Sequence, residues 1–199
     1  EAMVRQHFAD WPTTGKPSLA PAFGDPVAPK GSNPANPVGQ TRVVVEPDLP
    51  RGITYAVMRP WRPVQDTIAY NQGIMLDSLA QAILNRRLEA RARAGGSFLF
   101  AQVNQEKVSQ SADATFVSVT PLDENWTKSL KEVRGVIADA LATPPSEDEI
   151  EREVAEFNVA FESSVEQRRL LAGAKLADDM VTALDIRETI ASPETVLQI

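Results

Sequence analysis

The chain has 199 residues, a formal net charge of −7, 43% hydrophobic and 24% charged residues, one histidine and no cysteine. A pI near 4.8 argues against general binding of nucleic-acid backbones, which requires many neutralising cations. With His7 as the one histidine and no thiolate, most metal-dependent hydrolytic chemistry is excluded on this chain alone, and no apolar stretch approaches the ~20 residues of a membrane span.

The first residues, EAMVRQHFADW, space Ala2, Val4, Phe8 and Trp11 as the body of a helix with no cap ahead of it. Residues 1–199 are therefore expected to form one domain cut from a longer polypeptide, with any localisation signal upstream. From Pro12 to Gly39 the chain carries Pro12, Pro17, Pro21, Pro26, Pro29, Pro34 and Pro37 with Gly15, Gly24, Gly31 and Gly39. Fixed φ angles and missing donors rule out a helix or central strand, so this is read as a long surface loop. A Pro-rich ligand for a recognition module would need a clearer P-x-x-P core.

TRVVVEP (41–47) and GITYAVMRPW (52–61) are then expected to form a hairpin around the turn residues 48–52. A long helix is predicted from about Val64 to Arg93, with Leu76, Leu79, Ala80, Ile83, Leu84 and Leu88 as its buried stripe. Gly95 and Gly96 end it. SFLFAQV (97–103) and ADATFVSVTPL (112–122) read as strands joined by the polar NQEKVSQS. Asp123 is the expected cap of a helix over about 124–141 carrying Trp126, Leu130, Val133, Ile137 and Leu141. Ser146 and Glu149 have the spacing of a capping box. The run Glu147, Asp148, Glu149, Glu151 and Glu153 reads as a solvated, capped helix start in preference to a metal site. Helical texture continues, broken near Gly173, and Ser192-Pro193 starts a final turn. Helices and hairpins in separate runs predict an α+β fold, a largely antiparallel sheet with helices on one face. No phosphate-binding glycine loop and no nucleophile elbow is present.

Four of the 20 Lys+Arg residues, Arg86, Arg87, Arg91 and Arg93, crowd the end of the long helix. Helix-end electrostatics explains them, at roughly 0.3–1 kcal/mol per cation near the terminal carbonyls. Nucleic-acid binding through 86–93 conflicts with the net charge, and an independent anion site is a further alternative.

The junction LNRRLEARARAGG–SFLFA, the segment ATFVSVTPLDENWTKSL and the helix PPSEDEIEREVAEF together resemble the non-catalytic second domain of a half-unit in the M16 (insulinase, pitrilysin and processing-peptidase) zinc metallopeptidases. The family's usual strand before the first helix has no counterpart here. The resemblance implies two α+β domains per half and two halves closing around a peptide. It places zinc on an inverted His-x-x-Glu-His motif with a more distant glutamate, whose motif glutamate is the general base. His7 cannot supply that motif, so no catalytic, cofactor or metal residue is expected on this chain; zinc is expected in the parent enzyme. The opposite half of such enzymes can offer an arginine and, seven residues on, a tyrosine. Arg91 with Phe98, and Arg93 with Phe100, have that spacing but lack the phenol. Arg87, Arg91 and Phe98 remain as candidate chamber-lining residues. The implied function is a chamber-forming domain of a zinc metalloendopeptidase, with a non-enzymatic interaction module or degenerate peptidase homologue as the alternative. The implied partners are a peptide substrate, a preceding catalytic domain and an opposing half, with no nucleic acid and no membrane span. The periplasm is the favoured compartment, the cytoplasm the other.

Overall fold

A computed structural model describes residues 2–10, 24–33, 39 and 41–199. Trp11 of the expected opening helix, and the expected loop 12–39 except 24–33 and 39, lie outside the described residues. The elements are α1 (Ala2–Phe8), β1 (Ile53–Pro60), α2 (Ile68–Arg93), β2 (Phe98–Val108), β3 (Ala112–Pro121), α3 (Trp126–Ala142), α4 (Glu147–Gln167), α5 (Gly173–Ile186) and α6 (Pro193–Gln198), with a 3₁₀ turn at Arg168–Leu170.

The fold is α+β, and β1, β3 and β2 form an antiparallel sheet in that order. The register sets Ile53 and Ala101 beside Val119, and Tyr55 and Val103 beside Val117. Side chains alternate across a strand, so these six share one face. That face builds the core with Leu88 of α2, Val133 of α3 and Phe98, while Leu84, Ala92, Val136 and Ile137 pack around it.

The expected hairpin does not form. Residues 41–46 carry no strand, and β1 pairs with β3. The physical reason is burial: Val43, Val44 and Val45 are 81%, 63% and 86% exposed, so the β-branched run has no surface to pack on. Strand preference is largely such packing. In the other direction, β2 runs past Val103 to Val108 through residues read as a linker, because β3 supplies partners for every one of them. The turn shrinks to Ser109–Ser111, with Ser109 at φ 51° and the Ser111 N–H donating to the Val108 carbonyl at 3.1 Å.

Thr67 caps α2, its hydroxyl accepting from the Tyr70 N–H. Ile83 and Leu88 of the predicted stripe are buried, but Leu76 is 66% exposed and sits off it. Asn125, in place of Asp123, caps α3; the Asp123 carboxylate accepts from the Asn125 N–H at 2.7 Å and shapes the turn before the helix. Trp126 and Leu141, expected inside, stay at the surface. At α4 both halves of the Ser146–Glu149 capping box form. Ser146→Ala is expected to cost about 1 kcal/mol in urea unfolding, since a helix-start N–H loses its acceptor. Ser192 and Pro193 open α6 as expected.

Candidate functional site

The arginine-rich end of α2 is held by carboxylates from two other helices. Glu149, Glu153 and Glu156 recur at i, i+4 and i+7 along α4, so they share one face. Arg86 donates to Glu153 and, at 2.7 Å, to Glu156. Arg87 grips Glu149 with two parallel bonds of 2.7 and 2.8 Å and reaches the Thr143 carbonyl at 3.2 Å. Arg91 turns the other way, to Glu132 of α3. Arg93 pairs within its own helix with Glu89, and its side chain is 76% exposed. The sequence points to helix-end electrostatics for this cluster; in the structure Arg86, Arg87 and Arg91 pin α3 and α4 onto α2 through ion pairs.

Hydrogen bonding shifts the acids accordingly. Arg87, with the Ser146 N–H, brings the Glu149 carboxyl from its ordinary 4.5 to about 2. Arg86 holds Glu153 below the usual carboxylate range against the opposing effect of burial. Glu153 is only 3% exposed, which corrects the reading of the whole acidic run as solvated. The i, i+4, i+7 spacing of the three glutamates was the available signal.

The glycine pair that ends α2 is required by geometry. Gly95 has φ +85°, and a Cβ on Gly96 would stand 2.9 Å from the Arg91 carbonyl. This close turn delivers Ser97 into a polar junction, where its N–H and hydroxyl both donate to Glu132. The buried Ser129 hydroxyl donates to the Ser97 carbonyl at 2.6 Å. The Ser97 hydroxyl is the leading cause of the lowered Glu132 carboxyl, with the Ser97 N–H and Arg91 adding to it.

Beyond the junction, a groove of about 650 Å³ opens between α2 and the outer edge of β2. Arg86, Glu89 and Arg93 form one wall; Leu99, Phe100 and Leu122 contribute to the other. Leu99 and Phe100 are 63% and 52% exposed. Of the three sequence candidates, Arg87 and Arg91 are engaged with Glu149 and Glu132, and Phe98 lies in the core at 2% exposure. The structure does not bring these three to a common surface. It does bring together Arg93 and Phe100, the other pair seven residues apart, on the groove. Among the described residues no group of three or more His, Asp or Glu could hold a metal ion, and no helix is long and apolar enough to cross a membrane.

Neither a protein-family model nor a curated protein matches the chain. Solved structures do. The periplasmic protease PqqL of Escherichia coli is similar over 74% of this chain and 16% of its own, with a TM-score of 0.62 and 17% identity. The first half of PqqL is similar over 74% of this chain and 32% of its own, with a TM-score of 0.64 and 17% identity. A predicted insulinase family protease of Yersinia pestis is similar over 74% and 32%, with a TM-score of 0.62 and 16% identity. At these identities the likeness is one of fold, and the chain spans about a third or less of the length of each protein it matches.

Proposed function

We propose that this chain is a non-catalytic, chamber-forming domain of an insulinase-type zinc metalloendopeptidase. The fold likeness to the first half of a periplasmic protease carries this reading. In such an enzyme two halves enclose a peptide, and this domain forms part of the wall that limits substrates by size and charge. The partners are the peptide, a preceding catalytic domain and an opposing half. The periplasm is the corresponding compartment.

Zinc does not fit this chain. One histidine, His7, cannot supply two imidazole ligands, and the carboxylates at the α2 end are committed to arginines. The zinc and its general base therefore belong outside this chain, and no hydrolytic step is assigned to any residue on it. What the chain offers a peptide is contact. Leu99 and Phe100 present apolar surface on the groove and Arg93 an exposed cation, while the charges of Arg87 and Arg91 are balanced by Glu149 and Glu132.

The purified 199-residue chain is expected to carry no stoichiometric zinc and to show no chelator-sensitive peptide cleavage. In the full-length protein, zinc-dependent cleavage is expected, and Arg91→Ala or Arg87→Ala should alter the preference between acidic and basic peptides without unfolding the protein. Elemental analysis and peptide kinetics check both halves. Zinc bound one-to-one with cleavage by the chain alone would overturn the reading, as would a full-length protein without zinc-dependent cleavage.

A further inference from the structure

Among the described residues β2 lies at the edge of the sheet, yet part of its outer backbone is already bonded. Asn85 of α2 accepts from the Val103 N–H at 2.7 Å and donates to the Val103 carbonyl at 2.9 Å. Gln81, one helical turn earlier, accepts from the Gln105 N–H at 3.1 Å. An antiparallel neighbour strand would offer Val103 the same pair of bonds. The periods explain why a helix can substitute. Four helical residues rise about 6.0 Å and two strand residues about 6.7 Å, so side chains four apart on α2 meet outward-facing positions two apart on β2.

Carried one turn further, the match sets Glu89 opposite Ala101, and both line the groove. A carboxylate has no proton to donate to a carbonyl, and Glu89 pairs with Arg93 instead. Among the described residues no side chain bonds to the Ala101 backbone. The satisfied edge ends where the groove begins.

We propose that Asn85 and Gln81 form a built-in edge guard, side-chain amides that occupy the place of a neighbouring strand along Val103–Gln105 and prevent a second copy of this chain from pairing there. Unpaired edges are templates for such addition, and covering them with a helix is one remedy. Here the cover is also a chemical mimic of the strand it excludes.

The test is residue-resolved amide hydrogen exchange and sedimentation equilibrium on this chain and on Asn85→Ala/Gln81→Ala. In the parent chain, the Val103 and Gln105 amides should be protected despite their edge position. At low protein concentration the double variant should exchange both roughly tenfold faster or more, with Val117 and Val119 unchanged. At high concentration it should gain a dimer that the parent lacks, and pairing should restore the protection. Asn85→Asp keeps the acceptor for the Val103 N–H and loses the donor to its carbonyl, so it should retain most of the Val103 protection. If the double variant loses its helix signal, Gln81→Ala alone, read at the Gln105 amide, gives the decision. Unchanged exchange at these amides, or a variant that exchanges faster but stays monomeric at all concentrations, would overturn the proposal.

Discussion

Leu88→Ala is expected to lower the unfolding free energy by about 2–5 kcal/mol, the range for deleting a buried leucine side chain. Leu88 is fully buried, in one cluster with Phe98, Ala101, Val103, Val117, Val119 and Val133. It therefore ties α2 into the cluster that the edge strand, the central strand and α3 share. Removing it leaves a cavity where those elements meet, and the smaller alanine cannot follow the sheet inward because the helix is also fixed by Arg86 and Arg87. A domain of this size has only about 5–15 kcal/mol in total, so the loss would move the urea midpoint well outside error. Leu76→Ala is the matched control. Leu76 has the same chemistry and lies on the same helix, but at 66% exposure it should change stability by no more than about 0.5 kcal/mol. Equal effects at the two positions would mean that the core does not lie where the register of α2 places it.

That contrast shows where the sequence was informative. A 3–4 residue spacing located α2, but it could not decide between two overlapping stripes, since Leu76 and Leu88 both fit a helical repeat. Only the sheet beneath decides, and its central strand takes one partner from far along the chain, as with Tyr55 beside Val117. The same non-locality misled the hairpin expectation. Two β-rich runs separated by a turn normally pair, yet β1 found its partner across α2 and β2. Three helix ends were legible because their chemistry is local, Ser146 with Glu149, Ser192 with Pro193 and the glycine pair after α2, whereas the cap of α3 fell on Asn125 and not on Asp123. The candidate site was legible as a cluster of charge, whereas the partners of that charge were not. Four arginines announce themselves, but nothing local says that Arg87 belongs to Glu149 and Arg91 to Glu132, 62 and 41 residues away. Asn85 and Gln81 carried no signal at all. An amide on an exposed helix flank looks like surface until the edge of β2 is placed beside it.

Arg86→Met is expected to cost about 3 kcal/mol at neutral pH, the lower end for stranding a buried carboxylate. The Glu153 side chain is 4% exposed while Arg86 is 33% exposed, so the penalty falls on the glutamate left behind. Arg152, 3.4 Å away, moderates it. Acid should remove this penalty. In the parent chain Glu153 titrates below its unfolded value because Arg86 donates to the ionised form. Its stabilisation is complete above the ordinary carboxylate pKa and fades as pH falls through the lower folded value. In Arg86→Met burial acts on Glu153 with one cation fewer and drives its pKa upward, so the variant is penalised at neutral pH and relieved as the group takes up its proton. The two stability curves should therefore converge as pH falls from above the ordinary carboxylate pKa to below the lowered folded value of the parent. Arg86→Met/Glu153→Gln should recover much of the loss at neutral pH, since the second change removes the stranded charge, making the two substitutions strongly non-additive. Urea unfolding of the four species across pH measures all of this. A deficit that does not narrow as pH falls below the ordinary carboxylate pKa, or a double variant as unstable as the sum of its parts, would show that α4 is held to α2 by packing and that the ion pair contributes little.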